Sequence, residues 1–292
     1  MTPEQFCREQ TLRAHSSFLS PFFLLEREPR RAAFALYAFC RTVDDIVDSG
    51  LHPEVAEAKL GWWHQELVQA FAGEPHHPAA VELAEARRRF ELPVEPFFAV
   101  LEGMAMDLRQ TRYPTLEALE GYNRRVAVAV GEAWLALTQP ETPLAWREKL
   151  AWHLGQGFQL TNIARDVAED ARLGRVYLPE DWLAEAGTSP DEVLAGRWEK
   201  LPPVLRRLSE VALRHYAQAE PLWVGRRRRC LPPLAMAELY QAHLQRLRRR
   251  DFRVEDPPGR LSRWRQGALL IKSLGRAWLD RPVPAGGESP HG

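Results

Sequence analysis

Between Ala32 and Val43 the chain runs Ala32-Ala33-Phe34-Ala35-Leu36-Tyr37-Ala38-Phe39-Cys40-Arg41-Thr42-Val43, and only Arg41, Thr42 and the Tyr37 hydroxyl are polar. Pro29 suits a first helical turn and Ser49-Gly50 a stop, so the spacing predicts a helix over 30–48. A helix that is apolar nearly all round has to be enclosed. The rest of the chain must therefore supply a shell, and its pattern is again helical. Helical periodicity recurs near 53–72, 78–90, 94–109, 115–138, 143–173, 200–220, 232–251 and 260–278, with breaks at Gly73-Glu74-Pro75, Pro93, Pro114, Gln139-Pro140, Pro190, Pro202-Pro203 and Pro257-Pro258-Gly259. Strand alternation is nearly absent; Val126-Ala127-Val128-Ala129-Val130 is β-prone but sits inside a helical period. The first 29 residues are mixed, with Ser16, Ser17, Ser20 and Pro21 interrupting any long helix. Short loops between long helices predict a compact all-α bundle, one domain over 1–281, and the Pro- and Gly-rich segment 282–292 is expected to be a disordered tail.

The enclosed helix ends in carboxylates. At about 100° per residue Tyr37, Arg41, Asp44 and Asp48 share one stripe. The acidic end of a buried helix should open into a cavity or groove, where unpaired carboxylates are too costly to keep ionised. A second stripe lies far downstream: Gln159, Asn162, Asp166 and Asp170 fall together, with Leu160, Ile163, Ala164 and Val167 elsewhere. Alone, this second stripe is most simply a solvated face, since like charges four residues apart repel by roughly 0.2–0.5 kcal/mol. Set against Asp44 and Asp48 it becomes half of a cation site.

Magnesium, with manganese as an alternative, is the simplest cation to invoke, because it takes a few carboxylate oxygens, keeps waters and is completed by substrate phosphates. Asn162 offers a further carbonyl oxygen. Arg41, Arg165 and Arg175 lie beside the stripes, and a guanidinium fork suits a diphosphate; the alternative is ion pairing with the neighbouring aspartates. Other sites fare worse. The Glu-x-x-His spacing Glu74-Pro75-His76-His77 lies in a Pro-broken loop rather than on the paired helices of a di-iron bundle. No His-Glu-x-x-His motif exists. Gly155-Gln156-Gly157 lies inside a helix and lacks the strand of a dinucleotide site, so these glycines are expected to allow close helix packing. Tyr37, Tyr122 and Tyr240 are candidate acid–base groups or simply core.

Charge and cysteine content narrow the field. The 39 basic and 39 acidic residues cancel, against a general nucleic-acid binder. Cys7, Cys40 and Cys230 are odd in number and far apart, giving no disulfide framework and favouring a reducing cytosol. No stretch approaches the roughly 18 apolar residues of a membrane span, and an N-terminus with Glu4, Arg8 and Glu9 is unlike a signal peptide. A soluble, cytoplasmic protein is expected, with room for peripheral membrane contact; the Arg226-Arg227-Arg228-Arg229 run would serve either that contact or a solvated turn. The oligomeric state is not readable.

The two acidic stretches, Cys40-Arg41-Thr42-Val43-Asp44-Asp45-Ile46-Val47-Asp48 and Gln159-Leu160-Thr161-Asn162-Ile163-Ala164-Arg165-Asp166-Val167-Ala168-Glu169-Asp170, resemble the paired aspartate-rich signatures of the squalene/phytoene synthases. Gly174-Arg175-Val176-Tyr177-Leu178-Pro179 resembles the stretch after the second signature, particularly in bacterial phytoene synthases. Tyr122 with Val126-Ala127 and Val130-Gly131 resembles the catalytic-tyrosine segment, and Leu239-Tyr240 matches a tyrosine on a late helix. The resemblance covers roughly residues 7–255 and implies the all-α class I isoprenoid synthase fold with a central cavity. It further implies that Asp44, Asp48, Asn162, Asp166 and Asp170 bind magnesium, that Gln159 lines the same face, and that Arg41, Arg165 and Arg175 hold diphosphate. It gives Tyr122 a part in proton removal and makes Tyr37 and Tyr240 pocket residues. Two departures stand out. Around His15-Ser16-Ser17-Phe18 the family's basic residue is displaced, leaving Arg13 and His15 as alternatives, and Val128 replaces a common glycine, a change expected to alter the pocket beside Tyr122.

The implied activity is head-to-head coupling of two prenyl diphosphates, with Phe34, Leu36 and Phe39 expected among the apolar walls that exclude water from carbocations. The Arg175-Val176-Tyr177-Leu178-Pro179 match favours phytoene from geranylgeranyl diphosphate, without NADPH. The alternatives are dehydrosqualene or squalene from farnesyl diphosphate, a chain elongase or terpene cyclase, and a non-enzymatic helical scaffold. The elongase reading lacks the Arg-Arg expected after Asp-Asp-x-x-Asp, since Ser49-Gly50-Leu51-His52 follows.

Overall fold

Two helices organise the molecule. In the computed structural model, residues 1–13, 22–228, 230–255 and 262–280 are described. The predicted enclosed helix is α2 (Arg27–Asp48), following α1 (Pro3–Arg13). Next come α3 (Pro53–Ala72), α4 (Pro78–Phe90), α5 (Glu95–Arg109), α6 (Leu116–Asn123) and α7 (Ala129–Thr138). The long α8 (Leu144–Arg172) is followed by short α9 (Glu180–Glu185) and α10 (Pro190–Leu194), then α11 (Pro202–Ala219), α12 (Leu231–Arg249) and α13 (Arg263–Leu279). α1, α3, α4, α5 and α7 pack around α2, and α7, α11 and α12 pack around α8. Both axial helices are accordingly buried along most of their length, α2 through Ala33, Leu36, Phe39, Val43 and Val47, α8 through Leu150, Leu154, Leu160, Ile163 and Val167.

Most predicted boundaries hold within a few residues; the short α9 and α10 lie where no helix was expected, and three further features differ. α1 forms where a mixed segment was expected. Its sequence is only weakly amphipathic, and tertiary packing stabilises it instead: Cys7 and Thr11 are buried against α2, and the Thr11 hydroxyl donates to Cys7 O at 2.7 Å. The helix expected over 115–138 is interrupted by a π-helical turn, Arg124–Val128. That extra residue pushes Val126 and Val128 toward neighbouring helices at the two places where glycine leaves room. A Cβ on Gly103 would lie 2.5 Å from Val126 Cγ1, and one on Gly155 would lie 2.6 Å from Val128 Cα. The third feature is a two-stranded parallel ribbon, β1 (Arg112–Tyr113) with β2 (Val176–Pro179), too short to leave a period in the sequence.

The expectation for the Gly155-Gln156-Gly157 stretch is met, since Gly157 sits as tightly against the Tyr216 ring. The arginine run serves the fold: Arg227 pairs with Asp280 and Glu220, and Arg228 donates to Ala277 O and Trp278 O, closing the C-terminal end of α13. Arg229, the Pro257-Pro258-Gly259 break, the segment containing His15-Ser16-Ser17-Phe18 and the expected tail lie outside the described residues. Arg13 is exposed and paired with Glu9 at 2.9 Å. No described helix is long and apolar enough to cross a membrane.

Candidate active site

The ends of the two axial helices carry the two acidic stripes, and the chain after α8 ties them together. α8 stops in a Schellman motif, in which the Arg175 N–H donates to Asp170 O at 2.9 Å and the Gly174 N–H to Ala171 O at 3.0 Å. Gly174 takes φ +76°, a conformation other residues adopt only with strain, and so turns the chain back toward α2. Arg175 then reaches across: its Nη1 donates to Asp48 Oδ1 at 2.7 Å and its Nη2 to Val47 O at 2.9 Å.

Burial and like charge raise one carboxyl of each stripe. Asp44 is pushed up to about 7 by burial and then by Asp48, and Asp170 to about 8 by burial and then by Asp166. The outer arginines pair locally. Arg165 forks onto Asp166 at 2.6 and 2.5 Å, and Arg41 touches Asp44 at 3.2 Å and Asp45 at 2.5 Å. The ion-pairing alternative for these arginines is thus realised, but the Arg41 pairs are exposed and worth only about 0–1 kcal/mol each, and the Arg165–Asp166 fork stays partly open to solvent. A doubly charged phosphate group competes easily with pairs of that strength.

Asp107, on α5, was not singled out from the sequence. It is buried, accepts the Tyr122 hydroxyl on Oδ2 at 3.0 Å and the Tyr177 hydroxyl on Oδ1 at 2.8 Å, and is pushed up to about 6 chiefly by burial. Its charge acts on both Asp44 and Asp170, so it belongs to the same electrostatic cluster. The rings of Tyr113, Tyr122 and Tyr177 lie 5.2–5.9 Å apart beside it. Burial raises the Tyr122 hydroxyl well above its usual range, so it stays protonated and donates to Asp107. A signal was present: Asp107 continues the buried stripe of Phe97, Val100, Leu101 and Met104, where a carboxylate is out of place.

Next to the acidic cluster is an apolar cavity of about 250 Å3. Leu36, Tyr37 and Cys40 line it from α2, Val126 and Ala127 from the π turn, Trp134 from α7, Phe158, Gln159 and Asn162 from α8, and Met236 from α12. Leu36 lines it as expected. Phe34 and Phe39 do not; Phe39 faces the other way, against Trp63 and Phe97. Tyr240 stands behind the wall, 4.7 Å from the Phe158 ring and hydrogen-bonded to Asn162. Val128 is not in the lining; it faces Gly155, and its neighbours Val126 and Ala127 shape the wall.

The donor set suits a hard cation. The aspartates and Asn162 offer only oxygen, and Asn162 Oδ1 is buried without a hydrogen-bond partner. Among the described residues no three acidic, histidine or cysteine side chains converge to hold an ion unaided. Phosphate oxygens and water would therefore have to complete the coordination.

A family model for squalene/phytoene synthase matches residues 12–265. The chain belongs to that family. Presqualene diphosphate synthase from Rhodopseudomonas palustris is 36% identical over 93% of this chain and 97% of its own. The 15-cis-phytoene synthase from Synechococcus elongatus is 37% identical over 66% of this chain and 67% of its own. Among solved structures, a squalene synthase from Alicyclobacillus acidocaldarius superposes with a TM-score of 0.74 at 27% identity, covering 86% of this chain and 94% of its own. A dehydrosqualene synthase superposes at 0.82 with 24% identity, covering 94% of this chain and 96% of that one, and shares the fold. The all-α class I isoprenoid synthase architecture is thereby established, and members of the squalene/phytoene synthase family are prenyltransferases acting on prenyl diphosphates.

Proposed function

We propose that this chain couples two allylic prenyl diphosphates head to head, and that the substrate is geranylgeranyl diphosphate and the product phytoene. The observation that carries the coupling reaction is the 2.7 Å contact between Arg175 and Asp48, which joins the two acidic stripes beside an apolar cavity. Asp44, Asp48, Asp166, Asp170 and Asn162 would hold magnesium, or manganese, which when bound neutralises diphosphate charge as it leaves.

The protein's own groups do the rest. Arg41, Arg165 and Arg175 exchange their aspartate partners for diphosphate oxygens as the C–O bond of the first substrate breaks. The apolar walls keep water from the allylic cation while the double bond of the second chain attacks its C1. Loss of one proton closes the cyclopropane of a cyclopropylcarbinyl diphosphate. That proton passes to the Tyr122 oxygen as the Tyr122 hydroxyl proton passes to Asp107, a relay that keeps both groups in accessible protonation states. A second ionisation, rearrangement and proton loss give the hydrocarbon, with no NADPH consumed.

Phytoene is supported by the Gly174-Arg175-Val176-Tyr177-Leu178-Pro179 stretch and by the cyanobacterial relative. A second reading, presqualene diphosphate from two farnesyl diphosphates, is favoured by the near end-to-end match to the Rhodopseudomonas protein. Incubation with each diphosphate, magnesium and no NADPH, followed by mass spectrometry of products, separates them. Phytoene from the twenty-carbon substrate is expected; a thirty-carbon product alone would replace this reading with the second, and no coupled product would favour a scaffold.

A further inference from the structure

α13 presents its apolar residues outward. Its inner side is held by polar contacts, Lys272 to Glu238 at 2.5 Å and Arg276 to both Glu238 and Glu220, with Ser273 and Ala277 buried and Leu269 against Leu239 and Ala242 of α12. On the outer side Trp264 is 91% exposed, Ile271 70% and Trp278 75%. At about 100° per residue these three fall with exposed Ala268 and Gly275 on one stripe, roughly 21 Å long at 1.5 Å per residue. A helix in contact only with water normally turns its large apolar side chains inward.

The charges choose the occupant. The α13 sequence carries Arg263, Arg265, Lys272 and Arg276 and no acidic residue. Among the described residues the acids that contact or cap this helix, Glu220, Glu238 and Asp280, are each paired with arginine or lysine. An apolar stripe with tryptophan near each end, on a helix whose own charges are all positive, matches the interfacial zone of an anionic bilayer, where indole rings sit at the headgroup level. A two-fold contact with a second copy would set this cationic helix against itself, with no acid on the helix to receive it. The position also fits. α12 turns Pro233 and Met236 to the apolar cavity and Leu239 and Ala242 to α13, so the stripe lies one helix away from the space for prenyl chains.

We propose that the outer face of α13 docks the protein in the plane of an anionic lipid surface, independently of which prenyl diphosphate it uses. The test is flotation of the full-length protein with vesicles of phosphatidylcholine containing about one-third phosphatidylglycerol, against phosphatidylcholine alone. Wild-type protein floats with the anionic vesicles, less so in high salt, and Trp264→Ser/Trp278→Ser lowers partitioning by about tenfold or more while turnover of micelle-dispersed substrate is unchanged. Ile271→Lys, a single exposed change, gives the same loss should the double variant fold poorly. Wild-type protein that stays in the aqueous phase overturns the proposal, as does equal flotation of the folded variants. So does a solution dimer that the same substitutions convert to monomer.

Discussion

Arg175 Nη1 donates to Asp48 Oδ1 at 2.7 Å across 127 residues of sequence, and the same guanidinium holds Val47 O. One fork thus fixes the end of α2 against the chain leaving α8. Lysine keeps the charge but cannot serve both acceptors in that geometry. Arg175→Lys should lower kcat/KM by roughly ten- to a hundredfold in steady-state assays, with a smaller effect on thermal stability. Unchanged kinetics would detach Arg175 from the diphosphate.

Asp107 ties Tyr122 and Tyr177 to the cluster. Alanine at this position removes the acceptor both hydroxyls donate to and leaves them only each other, and thermal or denaturant unfolding should register a loss of about 1–3 kcal/mol. Asparagine retains one acceptor oxygen but cannot take up a proton. Asp107→Asn should therefore fold nearly as well as wild type while turnover drops about ten- to a hundredfold. Equal activity would remove Asp107 from the proton relay.

Packing at the π turn has its own test. A Cβ on Gly155 would lie 2.6 Å from Val128 Cα and 2.7 Å from Val128 N, both backbone atoms that cannot step aside. Gly155→Ala should cost about 1–3 kcal/mol in denaturant unfolding. Adding Val128→Gly removes only the side-chain clash, so it should not restore stability. Full rescue would mean that the backbone approach is unimportant.

The two raised carboxyls give magnesium binding a definite pH dependence. Asp44, raised to about 7, and Asp170, raised to about 8, hold protons in the metal-free protein that a cation must displace. Affinity should climb as pH rises through 7 and 8, and calorimetry in buffers of differing ionisation heat should detect proton release near neutrality. The sign for stability is opposite. These folded-state values exceed the ordinary carboxylate value of 3.8, so their contribution is full at pH below that value. It is lost as pH rises through 7 to 8. Metal-free protein in which these two groups dominate should therefore melt higher at pH 6 than at pH 9, and added magnesium should flatten the trend.

The sequence was most legible where chemistry repeats at the helical period. Asp44 with Asp48, and Asp166 with Asp170, declare themselves by spacing, and Arg175 by the motif around it. What spacing could not supply was facing. Phe34 and Phe39 sit on a helix that is apolar all round, so nothing in its pattern says that Leu36 lines the cavity while Phe39 packs against Trp63. Asp107 has no periodic acidic partner, and its role comes from Tyr122 and Tyr177, which only the fold brings to it. The π turn and the β1–β2 ribbon are likewise set by tertiary contacts, through Gly103, Gly155 and the chain leaving α8.

The central claim, that the two acidic stripes form one diphosphate clamp, is met most directly by calorimetric titration of an unreactive thiodiphosphate analogue of geranylgeranyl diphosphate into wild-type, Asp48→Asn and Asp166→Asn protein. Binding to wild type should require magnesium and should weaken by about a hundredfold or more in each variant, with thermal unfolding nearly unchanged. Magnesium-independent binding of equal strength in all three proteins would contradict the clamp.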